Sequence, residues 1–119
     1  MILAQFFTLK NGDTAGFHIK GHAGYGPEGE DIICAAVSAV TYTALGYMDE
    51  LLVKRQNEHL YFTEKDGEIV WMRYEGDSPV GDLEKEKVDA VLEAMQVGLK
   101  QIQESYGKKY LKITSQEVR

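Results

Sequence analysis

The chain has a single cysteine, Cys34, among 119 residues, so no disulfide can close within it. A structural zinc site built on several thiolates is excluded for the same reason. Clustered positive charge is missing as well. The net charge is −6, and the one tight basic pair is Lys108-Lys109. Direct binding to nucleic acid, which needs a basic patch, is therefore disfavoured. A basic protein substrate would suit the acidic balance. No apolar run approaches the roughly 20 residues of a membrane span. The start, Met1-Ile2-Leu3-Ala4-Gln5-Phe6-Phe7, has neither a charged leader nor a small-residue cleavage site. No phosphate-cradling loop, dinucleotide fingerprint, internal repeat or linker is present. These absences predict one domain over residues 1–119, cytoplasmic, reduced, without a cofactor and off the membrane.

What is present is a regular alternation of elements. Residues 2–10 read as a strand, Asn11-Gly12-Asp13 as a turn, and residues 14–20 as the returning strand. Residues 21–30 hold four glycines and Pro27, so they read as a mobile loop. A helix is predicted from Asp31 to Arg55, with Asp31 as N-cap. Its buried stripe is Val37, Val40, Ala44, Met48, Leu51 and Leu52. Gly46 inside this helix suggests close packing there. A second hairpin is expected from residues 59–62 and 69–74 around Lys65-Asp66-Gly67. His59, with no partner evident, reads as surface. Gly76-Asp77-Ser78-Pro79 breaks the chain, and a second helix over residues 82–105 carries Val88, Val91, Leu92, Met95, Leu99 and Ile102 on one face. Gly107 ends it, and residues 110–114 form a last strand. The order β-β-α-β-β-α-β predicts an α+β fold: a two-layer α/β sandwich with a mostly antiparallel sheet and two helices.

Chemistry concentrates between Gly21 and Ser38. A histidine closes a strand, a glycine-rich loop follows, and a cysteine sits in the first turn of a helix. A free thiol has a pKa of about 8.5, and helix N-termini or a nearby imidazolium lower it. His22, across the loop, is the candidate base and acid for such a thiol. The N–H groups of Ile33 and Cys34 are candidates for stabilising an oxyanion. Gly24, Tyr25, Gly26 and Gly29 form the candidate substrate loop, with Tyr25 and Pro27 as material to cover a peptide. Asp31 has two readings, a helix cap or the group that orients His22 as the third member of a triad. Ser38, one turn after Cys34, either bonds the Cys34 carbonyl or reaches into the site. A cysteine followed by Ala35-Ala36-Val37 is, taken alone, more often a small buried hydrophobe. A lone strand-end histidine is more often structural. His18, His22, Asp31 and Cys34 match no metal-ligand spacing.

The run Gly21-His22-Ala23-Gly24-Tyr25-Gly26 followed by Gly29-Glu30-Asp31-Ile32-Ile33-Cys34-Ala35-Ala36-Val37-Ser38 resembles the signature of the ribosomal-processing cysteine protease family, Prp. The resemblance extends over the whole chain and shows no departure at the motif positions. It implies a cysteine endopeptidase that removes a short N-terminal extension from a bacterial large-subunit ribosomal protein, the twenty-seventh in the usual naming. It implies cleavage after an apolar segment ending in Phe-Phe, a homodimer, a flexible loop beside the site, and His22 and Cys34 as catalytic residues. Two other functions stay open: a non-enzymatic ribosome-assembly binding protein, and a thiol acyltransferase using the same pair. Leu3-Ala4-Gln5-Phe6-Phe7 itself looks like such a substrate segment. Coincidence within a hydrophobic strand is the simpler reading; mimicry of substrate across a dimer contact is the other.

Overall fold

The computed structural model describes residues 1–74 and 84–118. The elements run β1 (Ile2–Thr8), β2 (Thr14–Gly21), α1 (Ile32–Gln56), β3 (Thr63–Lys65), β4 (Glu68–Met72), α2 (Lys85–Tyr106) and β5 (Leu111–Glu117). This is the order read from the sequence. The break at Gly76-Asp77-Ser78-Pro79 and residues 82–83 of the expected second helix lie outside the described residues.

The strands form one sheet in the order β3-β4-β2-β1-β5. The β1–β2, β2–β4 and β3–β4 pairs are antiparallel. β5 returns from α2 to lie parallel to β1, with Leu111 beside Ile2. The fold is thus α+β, with a mixed and mostly antiparallel sheet. Ile2, Ala4 and Phe6 are buried while their neighbours on β1 are half-buried, as expected when one sheet face is covered. Phe6, Phe17 and Trp71 pack in a row with centroids 6.0 and 5.7 Å apart. They join Val37, Met48 and Leu52 of α1 and Val88, Leu92 and Leu99 of α2 in a single core.

β1 is flanked on both sides and Phe6 is fully buried. The Gln5-Phe6-Phe7 segment is therefore a central strand with its backbone paired on both edges, which favours coincidence over substrate mimicry.

Two local expectations are corrected. The strand expected over 59–62 begins at Thr63 instead. Asp66 and Gly67 both adopt positive φ, 55° and 78°, and this two-residue turn fixes Lys65 opposite Glu68. The preceding residues run back along α1. Leu60 is buried, and its N–H donates to Asp49 Oδ1 at 2.8 Å. His59 is exposed but has a partner: its Nδ1 lies 3.1 Å from the same oxygen. Apolarity there signals burial against a helix, not pairing. The second correction concerns Gly46. A methyl group there would meet nothing within 4 Å, whereas one at Gly98 of α2 would lie 3.2 Å from Val40 Cγ1. The helices approach at Gly98, and Gly46 faces outward.

α1 is long and apolar enough to cross a membrane by length and composition. One face, including Ile33, Val37, Met48 and Leu52, is buried in the core. The outward face is low in charge, with Ala39, Tyr42, Thr43, Gly46 and Tyr47.

Candidate active site

The site lies where β2 ends, β1 begins and α1 starts. Gly21 pairs with Ile2 at the last rung of the sheet. Its φ is +95°, and a Cβ there would sit 2.4 Å from the Met1 carbonyl oxygen. Only glycine fits that turn, which carries the chain out of the sheet into His22. His22 is exposed.

α1 begins at Ile32 with Asp31 as its N-cap. Asp31 is buried, 7 % exposed, and both of its oxygens are committed. Oδ1 accepts from the N–H of Ile33 at 3.0 Å and of Cys34 at 3.1 Å. Oδ2 accepts from the N–H of Tyr25 at 2.9 Å and of Gly26 at 3.2 Å. Burial pushes its pKa up, but the four N–H bonds outweigh this and hold the carboxyl below its ordinary value. The side chain therefore pins the loop to the helix start, and no oxygen is left to orient His22. This corrects the triad reading. It also corrects the oxyanion reading, because the N–H groups of Ile33 and Cys34 are taken by Asp31.

Cys34 is half-buried and unpaired. One donor is aimed at its sulfur: the Ala23 N–H, with N 3.4 Å from Sγ. Ala23 itself is 3 % exposed, so its side chain anchors the loop in the core directly after His22. A cavity of about 310 Å³ opens here, lined by His22, Gly24, Gly26, Glu28, Gly29, Asp31, Cys34, Ala35 and Ser38. The fold thus brings together seven of the candidate residues: His22, Gly24, Gly26, Gly29, Asp31, Cys34 and Ser38. Gly21 and the buried Ile33 support the site from outside the cavity. Tyr25 does not line it either; its ring turns toward Tyr106 and Tyr110. Among the described residues, no hydrogen bond joins His22 to Cys34 or the Ser38 hydroxyl to the Cys34 carbonyl. Sequence reasoning missed Glu28, Ala35 and the Ala23 amide. Ala35 was recoverable from its place next to Cys34; the other two follow from the path of the loop.

Among the described residues no group of three or more His, Cys, Asp or Glu is arranged to hold a metal ion. The cavity can instead do thiol chemistry. It holds one sulfur, one imidazole, and two carboxyls, of which Asp31 is saturated by backbone amides.

The family model for the cysteine protease Prp matches residues 1–112. The chain belongs to the Prp cysteine protease family. Among solved structures, the fold resembles the essential ribosomal processing protease Prp from S. aureus with a covalently linked product peptide. That match has a TM-score of 0.75 and 22% identity, and covers 98% of this chain and 100% of the other. SMU.848 from Streptococcus mutans is similar too, with a TM-score of 0.68 and 27% identity over 99% of this chain and 96% of that one. No curated protein sequence matches the chain. The chain's sole cysteine, Cys34, opens onto the cavity just described.

Proposed function

We propose that this Prp family member is a cytoplasmic cysteine endopeptidase that removes the N-terminal extension of a large-subunit ribosomal protein, with Cys34 and His22 as its working pair. The observation that carries the reading is the shared cavity. Of its titratable lining groups, Asp31 is locked by four N–H donors, and His22 is the one imidazole beside the thiol. The S. aureus relative, an essential ribosomal processing protease seen with a substrate or product peptide, supports the substrate class. The net charge of −6 suits a basic ribosomal protein.

In this reading the Cys34 thiol proton passes to His22 as Sγ bonds the scissile carbonyl carbon. The carbonyl oxygen becomes an oxyanion next to Sγ, where the Ala23 N–H is the nearest aimed donor. Collapse breaks the C–N bond, and His22 gives its proton to the leaving amine. Water then attacks the thioester and returns the free thiol. A free thiol needs a reducing compartment, which supports a cytoplasmic site of action. Pairing into a homodimer belongs to the same reading, as the family resemblance implies.

Mass spectrometry of the extension-bearing ribosomal protein, incubated with the chain, tests the reading. Loss of the extension is expected with the natural chain and not with Cys34→Ala. Equal cleavage by both, or by neither, contradicts it.

A further inference from the structure

The loop over residues 22–31 has little to hold it. Its hydrogen bonds all close on nearby partners: Ala23 on Cys34, Tyr25 and Gly26 on Asp31, and Glu30 on Pro27. Beyond the buried Ala23 and Asp31, the loop touches the rest of the fold through the ring of Tyr25. That ring stands edge-on to Tyr106 at 5.5 Å and to Tyr110 at 5.2 Å. These two rings have a firm base. Tyr106 ends α2, the Gly107 N–H closes on the Gln103 carbonyl at 2.8 Å, and the Tyr110 N–H on the Gly107 carbonyl at 3.2 Å. The Tyr110 carbonyl accepts from Ile2 at 2.8 Å, and Ile2 is the residue paired with Gly21, just before His22.

We propose that Tyr106 and Tyr110 are positioning residues, an aromatic seat that holds the loop, through the Tyr25 ring, in the conformation that walls the Cys34 cavity. Asp31 is the inner fastening and the seat is the outer one. They are coupled, because the residue whose ring sits in the seat also gives its N–H to Asp31. The outer fastening is weak enough to release. Tyr25 is 46% and Tyr106 39% exposed, so the contact lies at the surface and water reaches both rings. Edge contacts of this kind each shift such an equilibrium by roughly 2- to 10-fold. The seat bears on catalysis only through the proposed peptidase reading, whereas its hold on the loop stands apart from that reading.

The test follows amide hydrogen exchange of Tyr25 and Gly26 by NMR, together with KM and kcat for an extension peptide. Tyr106→Leu should speed exchange of those two amides roughly 2- to 10-fold, and the double variant with Tyr110→Leu by more. Amides within β1 and β5 should keep their natural rates. Tyr106→Phe, which keeps the ring, should behave as the natural chain. KM should rise in step with exchange while kcat changes less, because an open loop reduces the binding-competent fraction. If Tyr110→Leu does not fold, Tyr25→Leu removes the same contacts from the loop side. Unchanged exchange after Tyr106→Leu, or equal acceleration by Tyr106→Phe, overturns the proposal. Absence of cleavage in every form, with exchange behaving as expected, sinks the peptidase reading and leaves the seat standing.

Discussion

Asp89, beside the start of β2, is neutralised by side chains; Asp31, beside its end, is neutralised by backbone. Asp89 lies 2.6 Å from the fully buried guanidinium of Arg73 and 2.6 Å from Lys85 Nζ, which also reaches Asp13 at 2.9 Å. Arg73 spans to the Thr14 carbonyl at 3.3 Å, so this network ties α2 to the sheet. Both carboxyls are held below their ordinary pKa. In each, burial acts upward and is outweighed, by Lys85 and Arg73 for Asp89 and by four amides for Asp31. The difference has a consequence for chemistry. Backbone amides stabilise Asp31 without adding a mobile charge to the cavity.

Substitution breaks the comparison most strongly at the structural end. Asp89→Ala takes a carboxylate from a buried guanidinium and should cost about 3 kcal/mol, read as a fall in Tm of roughly 10 °C. Cleavage at a temperature where the variant is folded should be unaffected. Asp31→Ala should do the reverse. Peptide cleavage should fall roughly 100-fold through misplacement of the loop and helix start, with a smaller loss of Tm. A finding that both variants lose activity and stability in the same proportion would erase the distinction between the two ends.

Acid sharpens the contrast by a smaller effect. The folded pKa of Asp31 lies below its ordinary 3.8. Its contribution to stability is then complete above the unfolded value and is lost as pH falls through the lowered folded one. The Tyr25 and Gly26 amide resonances, followed from neutrality into that range, should move together with those of Ile33 and Cys34. Independent movement would mean that one carboxylate does not serve all four.

Much of this architecture was legible. Residues with helical spacing, Val37, Ala44 and Met48 or Val88, Leu92 and Leu99, report their own burial because period follows from backbone geometry. The His22–loop–Cys34 arrangement was legible because helix start, loop and strand end are contiguous. Long-range choices were not. Nothing local in Leu111 to Glu117 says that β5 runs parallel to β1. Residues 59–62 looked like a strand, but Leu60 is buried and bonded to α1 through Asp49 while Tyr61 stays exposed. The second oxygen of Asp31 found donors in Tyr25 and Gly26 only because the glycines let the loop fold back, and Tyr25 met Tyr106 and Tyr110 only through the sheet.

The most direct measurement is acyl trapping. An activated ester of the extension peptide is mixed with the chain, quenched in acid, and the acylated residue is mapped by mass spectrometry. The acyl group is expected on Cys34 of the natural chain, forming much more slowly in His22→Ala. Turnover of the ester with no acyl group ever found on Cys34, or at an undiminished rate in Cys34→Ala, would contradict the account.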